Sequence, residues 1–499
     1  TLGLVEAIDS NGVYVSMPGS RGVLRGPYET TRNAAAGERV LLTTTDDGQQ
    51  VVAGVVGDGI GVNVKAFGAK GDGTADDTES IQAAIDAAPV GGTVVIPDGS
   101  YKITAPLEVG KALTLQGEGQ YTTVILAVAC NGVEVAEGVS GFSMQSIEVA
   151  CATRYTTTTN TLVGVSVDGD TTDRPSNHVY RDVYVDGFHT AFQSSYLWSS
   201  VFDNFRCDFG LIGLDIYGLS VNNQVMQSTI VVKHGVQESR GIVFNGAESP
   251  SDSADVASEG WTVTNSVIFG GGTNIYIRGT THVTVTSCII DFSMYDGVRI
   301  QDNGTHFAGN CVIADNYIAV GDPSLTSGDW AAGVRVYNGV SNSQNSGNRI
   351  TGNHVVVYSG DVCPKGIWAQ GSESQSVIAN NVLNGFSVSD ITLDCSGNVV
   401  TGNRCKTTPS ASKNINPAAS TANLIADNFG EVYLRGGDPV VYRTDALGYK
   451  EWTGLQAFAA GAHAYGERII NAYPAVGQPQ GWICTVAGTP GTWTALPNL

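Results

Sequence analysis

Hydrolysis of a glycosidic bond needs two carboxyl groups about 5–10 Å apart, one held as an acid and the other serving as nucleophile or base. Asp215, Glu238, Asp291 and Asp296 lie within a run of short patterned segments and are the candidate catalytic acids. Asp203 and Asp208 are further options, with Arg206 and Asp208 flanking Cys207 on one face. Each of these carboxylates also has an ordinary use in a solvated turn. Eliminative cleavage would ask instead for a base beside the departing proton and a cation to neutralise a uronate, a task open to Arg299, Arg335 or Lys233. The residue types do not separate these two chemistries. A metal centre is not expected: His178, His189, His234, His282 and His306 are scattered without ligand spacing and read as surface or loop residues. None of the nine cysteines forms a C-x-x-C pair, and Cys207, Cys288, Cys311 and Cys405 sit in β-like apolar runs, as buried thiols would.

Asp215 lies on an outer strand, Glu238 in the following connection, and Asp291 and Asp296 around the next bend, among segments of strict alternation. These are Gly213-Leu214-Asp215-Ile216-Tyr217, Asn274-Ile275-Tyr276-Ile277-Arg278, Gly297-Val298-Arg299-Ile300-Gln301, Gly333-Val334-Arg335-Val336-Tyr337, Gly366-Ile367-Trp368-Ala369-Gln370 and Asp390-Ile391-Thr392-Leu393-Asp394. Period two turns Leu214, Ile216, Ile275, Ile277, Val298, Ile300, Val334, Val336, Ile367 and Ala369 inward. A second pattern, an apolar residue followed by a turn centred on Asn, recurs at Asn316, Asn353, Asn381, Asn403 and Asn428, at intervals of 37, 28, 22 and 25 residues. One coil per interval, with loop insertions of varying length, makes a parallel solenoid. Asn suits a repeated bend because it tolerates left-handed backbone angles and bonds locally.

Stacked about 4.8 Å apart, such strands build an outer wall. It bears Asp215, Tyr217, Tyr276, Arg278, Arg299, Gln301, Arg335, Tyr337, Trp368 and Gln370, and all but Asp215 are candidate substrate-binding residues. Rings pack on the C–H faces of sugars, and Arg and Gln present forked donors to hydroxyls or carboxylates. The same residue types are enriched where subunits meet, so glycan groove and trimer contact both stay open for this wall. Loops at 152–177, 246–260, 320–332 and 338–348 could form groove walls.

Residues 1–58 alternate in short runs between Gly and Asp turns and read as a small β-barrel, similar to the oligosaccharide/oligonucleotide-binding-like barrels of phage tail proteins. The segment from Asn63 to Ile85 gives a strand, a Gly/Asp turn and a helix starting near Asp77 or Thr78, with Ile81, Ala84 and Ile85 on one face. Such a helix covers the open end of a solenoid, and Gly91-Gly92-Thr93-Val94-Val95-Ile96-Pro97 then starts the strands. Residues 61–110 resemble the head motif of the pectate-lyase-like superfamily, shared by phage tailspikes, capsule depolymerases and secreted polysaccharide hydrolases and lyases. The motif carries no catalytic residue of that family, which leaves Asp72, Asp76 and Asp77 as caps and turn formers. Residues 431–499 resemble short C-terminal modules of phage tail and depolymerase proteins, with a Gly/Pro-punctuated strand pair around Trp482 and Trp493 suited to capping and trimerisation.

The expected fold is all-β: a right-handed parallel β-helix over 59–430 with a capping helix, a small β-barrel at 1–58 and a small β module at 431–499. Lys+Arg number 26 against 47 Asp+Glu, and the net charge of −21 disfavours nucleic acid and anionic membrane as partners. No stretch approaches 18 apolar residues and nothing near Thr1 resembles a signal peptide; a virion tail protein made in the host cytoplasm, the setting the resemblance implies, would need neither. The resemblance implies a bacteriophage tailspike, a homotrimer without cofactor, joined to other tail proteins through its N-terminal domain, that binds and depolymerises a bacterial surface polysaccharide. A non-catalytic receptor-binding fibre and a polysaccharide lyase are the alternatives; a secreted bacterial or fungal enzyme fits less well.

Overall fold

A computed structural model of the protein describes residues 61–155, 161–246, 258–304, 306–326, 329–338, 347–371, 375–405, 413–417, 423–426, 428, 457, 463–471 and 475–498, together with strands at 2–9, 12–16, 24–28, 39–44, 50–56, 440–444 and 450–454. The chain forms two compact units, Thr1–Leu214 and Asp215–Leu499.

The first unit opens with a five-stranded antiparallel sheet of Leu2–Asp9, Gly12–Ser16, Leu24–Tyr28, Arg39–Thr44 and Gln50–Val56, in the order third, second, first, fourth, fifth. The helix expected near Asp77 runs Thr78–Ala87 and buries Ile81, Ala84 and Ile85. The acids before it are turn formers. Asp72 accepts from the amides of Thr74 and Ala75, both at 2.9 Å, which hold its carboxyl down at about 2. Asp77 accepts from the amides of Lys70 at 2.5 Å and Gly71 at 2.9 Å and does not cap the helix with its side chain. Parallel strands follow, and register stacks Val94, Leu115, Met144, Tyr180 and Phe202 in one inward row, each 0% exposed.

The second unit repeats three strands per coil. One ladder contains Thr262–Thr264, Thr284–Thr286, Val312–Ala314, Arg349–Thr351, Val377–Ala379 and Val399–Thr401. Another contains Val267–Phe269, Ile289–Ser293, Tyr317–Val320, His354–Val357 and Val382–Asn384. The third holds Arg240–Asn245, Thr273–Arg278, Asp296–Gln301, Ala332–Asn338, Lys365–Gly371 and Ser389–Leu393. All pairs are parallel, as a right-handed β-helix requires, and the ten side chains expected to point inward are 0–1% exposed. Each of the nine Leu, Ile and Val side chains contributes roughly 1.5–3 kcal/mol by leaving water, and Ala369 less. C-terminal to the coils, Gly481–Val486 pairs antiparallel with Thr492–Ala495, and the Trp493 indole donates to the Pro490 carbonyl at 3.1 Å.

The repeated Asn works differently from the expectation of a local, left-handed bend. The left-handed residue is the one before it: Asp315, Gly352, Asn380 and Gly402 have φ of 55°, 70°, 56° and 66°. The Asn itself is buried and bonds along the stack. Nδ2 of Asn316, Asn353, Asn381 and Asn403 donates to Oδ1 of the next Asn at 3.0, 3.0, 2.9 and 2.9 Å, ending on Asn428. The other Nδ2 hydrogens reach inter-rung carbonyls such as Ile313 O at 2.8 Å and Ile350 O at 2.8 Å. A side chain that donates two hydrogens and also accepts is needed at every step, which is why the position is Asn and not Asp or Ser.

One further expectation is revised. His178 and His306 are not surface residues but 0% and 3% exposed; the His178 ring bonds the Val139 carbonyl at 2.9 Å, and burial pulls its pKa down to about 4. All nine cysteines are free and buried, as expected of Cys207, Cys288, Cys311 and Cys405.

Asn353→Ala removes the acceptor of the Asn316 amides and the donors to Ile313 and Asn381, so unfolding in urea is expected to show a loss of about 2–4 kcal/mol. Asn380→Gly, at the exposed left-handed position, leaves the midpoint unchanged or raises it.

Candidate active site on the third ladder

Register on the third ladder sorts the outward side chains of the second unit into columns. Arg240, Thr273, Asp296, Ala332, Lys365 and Ser389 form the first, and Tyr276, Arg299, Arg335, Trp368 and Thr392 the second. The chain turns a corner between them, and several rungs place glycine there. A Cβ on Gly297 would lie 2.6 Å from the Gly333 carbonyl oxygen, and one on Gly366 would lie 2.4 Å from that of Asp390. Glycine lets the rungs close up at this corner, which carries the first column round onto the wall beside the second.

A cavity of about 530 Å³ opens over these columns. Arg240, Thr273, Asp296, Arg299, Arg335 and Tyr337 come from the strands, Gln237 and Tyr295 from the residues leading into them, and Asp329 and Trp330 from the loop before Ala332–Asn338. Asp296 is 1% exposed. Its Oδ1 accepts from the Ala332 amide at 3.0 Å, and its Oδ2 lies 4.0 Å from Nη1 of both Arg299 and Arg335. Burial is the larger influence and pushes the Asp296 pKa up from the ordinary carboxylate value, with the two guanidinium groups opposing it. Asp329, half-buried, closes a turn by accepting from the Thr326 amide.

The cations are held by rings. Arg335 lies 4.9 Å from the ring centres of both Trp330 and Trp368, which are 5.3 Å from each other, and its Nε donates to Gln370 at 2.9 Å. Lys365 Nζ lies 3.7 Å from the ring centre of Trp368, whose indole donates to Asp394 at 2.7 Å. Tyr276 is the platform for Arg299 at 5.2 Å and Arg240 at 5.8 Å, and its hydroxyl donates to Gln301 at 3.3 Å. Fixed guanidinium groups of this kind are preorganised for carboxylate recognition. The Arg299 Nε is buried without a partner among the described residues, a donor left over by the fold.

A family model described as rhamnogalacturonase A/epimerase, pectate lyase-like, matches residues 61–321, and one described as right-handed beta helix region matches 240–430. The chain belongs to the rhamnogalacturonase A/epimerase, pectate lyase-like family. Relatives of this pectate-lyase-like chain include mannuronan C5-epimerase AlgE4 of Azotobacter vinelandii, 47% identical over 81 residues that cover 16% of this chain and 14% of that protein. A probable glucan endo-1,3-beta-glucosidase of Arthroderma benhamiae is 44% identical over 57 residues, 11% of this chain and 6% of that one. The chain therefore spans only a small part of these relatives. The catalytic unit of a GH87 alpha-1,3-glucanase from Streptomyces thermodiastaticus has the same fold, with a TM-score of 0.50 at 17% identity over 75% of this chain and 71% of that one. So does DFA-IIIase of Arthrobacter chlorophenolicus A6, with a TM-score of 0.51 at 13% identity over 74% and 94% of the two chains.

Of the residues singled out in the sequence, Asp296, Arg299, Arg335 and Tyr337 meet at the cavity. Tyr276, Gln301, Trp368 and Gln370 pack against these, and Arg278, beside Asn245 at 3.5 Å, lies further along its strand. Arg335, Trp368 and Gln370 are only 4%, 5% and 7% exposed, because the wall buries its own side chains against one another. Asp215 and Tyr217, in strand Ile212–Tyr217, do not line the cavity. Nor does Glu238, exposed in the connection before Arg240, or Asp291, which sits on the second ladder and accepts from the Tyr358 hydroxyl and the Phe292 amide. The cavity's two carboxyl groups are Asp296 and Asp329. Arg240, Asp329, Trp330, Tyr295, Gln237 and Thr273 went unread in the sequence. The first column had a signal, since its members stand two residues before an inward Ile or Val, as Thr273 does just ahead of the segment starting at Asn274; the loop residues had none. Elsewhere, Glu137, Asp170 and Asp173 bring carboxylate oxygens within 4.8 Å of one another, but Asp170 is a turn former bonded to the Thr172 and Asp173 amides.

Because the folded pKa of Asp296 is raised, its contribution favours folding below the unfolded carboxylate value, about 4, and is lost as pH rises through the folded value. Asp296→Asn is thus expected to melt at or above the wild-type temperature at pH 7, with the difference vanishing near pH 4, as read by calorimetry across that range.

Proposed function

We propose that the protein depolymerises an acidic polysaccharide by glycoside hydrolysis at this cavity, with Asp296 as general acid and Asp329 as the second carboxyl group. The observation that carries the reading is the meeting, in one cavity, of a fully buried carboxyl group favouring its protonated form, a second carboxylate on a loop and three ring-braced arginines. Protonated Asp296 can donate to the leaving glycosidic oxygen, while Asp329 attacks the anomeric carbon or activates a water for it. Arg240, Arg299 and Arg335 supply the fixed positive field for a sugar carboxylate in a chain whose net charge is −21. Tyr337 and Trp330 offer faces for the sugar ring. The polysaccharide-active relatives support the assignment, as does the fold common to the alpha-1,3-glucanase.

The setting proposed for this activity is a bacteriophage tailspike, acting outside the cell on the surface polysaccharide of its host and assembled as a homotrimer. Support comes from the antiparallel strands on the N-terminal side of the coils and the strand module on the C-terminal side, suited to tail attachment and trimerisation. A sedimentation mass of one chain would refute the trimer.

Incubation with capsular polysaccharides is expected to release new reducing ends without the absorbance of an unsaturated uronate. Appearance of that chromophore would replace hydrolysis by elimination, and no release from a polysaccharide the protein binds would leave a receptor. Asp296→Asn and Asp329→Asn should each lower kcat by about 10²–10⁴-fold. In the wild type the rate should fall as pH rises through the raised Asp296 pKa, because the acid must carry its proton. Arg299→Ala should raise KM for the acidic polymer more than it lowers kcat, in initial-rate measurements.

A further inference from the structure

Within Thr1–Leu214, a different outward face stacks a second set of chemically capable side chains on strands Ser143–Cys151, Val179–Asp186 and Arg206–Gly210. Register puts Glu148, Tyr184 and Arg206 in one column, with Asp186 and Asp208 in the next. The alternating Val149, Val185 and Cys207 face the core at 0%, 1% and 3% exposure. Tyr121, from the turn before Thr123–Ala127, is 58% exposed; its ring lies 5.5 Å from that of Tyr184, and the Arg206 guanidinium lies 5.9 Å from it. Phe209 is 48% exposed, under the Arg154 guanidinium at 4.6 Å. Arg154 in turn donates through Nε and Nη2 to Asp186 Oδ2 at 2.9 and 2.6 Å.

Folding alone does not account for this face. Two large rings stand half in water beside charged groups. Phe209 also holds φ of 59°, a left-handed conformation that a bulky side chain disfavours. Asp186, 4% exposed, keeps its Oδ1 without a partner among the described residues, and so does the buried Nε of Arg206. One acceptor and one donor are therefore left over beneath a platform of rings. A hydroxyl-rich ligand complements that inventory, because each hydroxyl both donates and accepts. An anionic ligand would meet Glu148, Asp186 and Asp208, and a cationic one would meet Arg154 and Arg206.

We propose that this face is a second carbohydrate-binding site, for an uncharged segment of polysaccharide, with Tyr121 and Phe209 as ring platforms and Glu148, Asp208 and Arg154 as its hydrogen-bonding groups. Burial, aided by Asp186, pushes the Glu148 pKa up to about 7, so near neutrality its carboxyl group both donates and accepts. Burial raises Asp208 as well. The site is separate from the hydrolytic assignment and stands or falls without it.

The test is affinity electrophoresis of the full chain carrying Asp296→Asn, to prevent turnover, through gels containing dextran, galactomannan or, for comparison, anionic alginate. Retardation by a neutral polymer is expected, with affinity reduced about tenfold by adding Tyr121→Ala and Phe209→Ala. Tyr121→Ala alone, at an exposed turn position, gives the same reading should the Phe209 substitution unfold the chain. Retardation in alginate only, no retardation by either neutral polymer, or a Tyr121→Ala protein retarded like its parent would each overturn the proposal.

Discussion

Parallel hydrogen bonding between successive coils is the constraint on which everything else in each unit rests. It fixes the side chains above and below every residue, so a column such as Arg240, Thr273 and Asp296 is a consequence of register and not of sequence proximity. The inward rows show the energetic side of the same rule. Ile275, Val298, Val334 and Ile367 stack at 0% exposure, and slipping one strand by a residue would exchange that row for Tyr276, Arg299, Arg335 and Trp368. No local preference opposes a slip as strongly as this burial does.

The same register creates the electrostatics of the cavity. Asp296 and Arg335 are far apart in sequence, yet their strands are neighbours and their charges come within 4.0 Å. Both are almost fully buried, so the carboxyl group loses more through desolvation than it regains from the cations. A structural ion pair would be expected to settle the other way, with the acid held well below its ordinary value. Packing of Arg335 against two indoles keeps it where it is at some cost in hydration, and leaves the acid partly uncompensated.

Much of this was legible in the chain. Strict alternation identified the inward rows, the wall and three of the residues that line the cavity, because period two is a property of a strand whatever its partners. The turn Asn residues marked the coils, although their role needed coordinates: a local bend and an inter-coil ladder predict the same residue type. What could not be read were contributions from irregular backbone. Asp329 and Trp330 stand in a loop, where no periodicity assigns direction, and Asp291 looked as suitable as Asp296 until it fell on another ladder and was engaged by Tyr358. Burial of Arg335, Trp368 and Gln370 was equally hidden, since alternation says which way a side chain leaves the backbone and not what then covers it.

The Asn ladder also divides the coil into a corner that must be kept and corners that are free to change. From Asn381 to Asn403 the chain needs 22 residues to come back to the ladder, and from Asn316 to Asn353 it uses 37, yet the amide-to-amide contacts at the two steps are nearly identical in length. The longer coil includes the loop bearing Asp329 and Trp330, which lines the cavity. Such a scaffold can exchange that loop for another of different length and composition without disturbing the stack, so new substrate preferences are open to it by grafting at one corner alone.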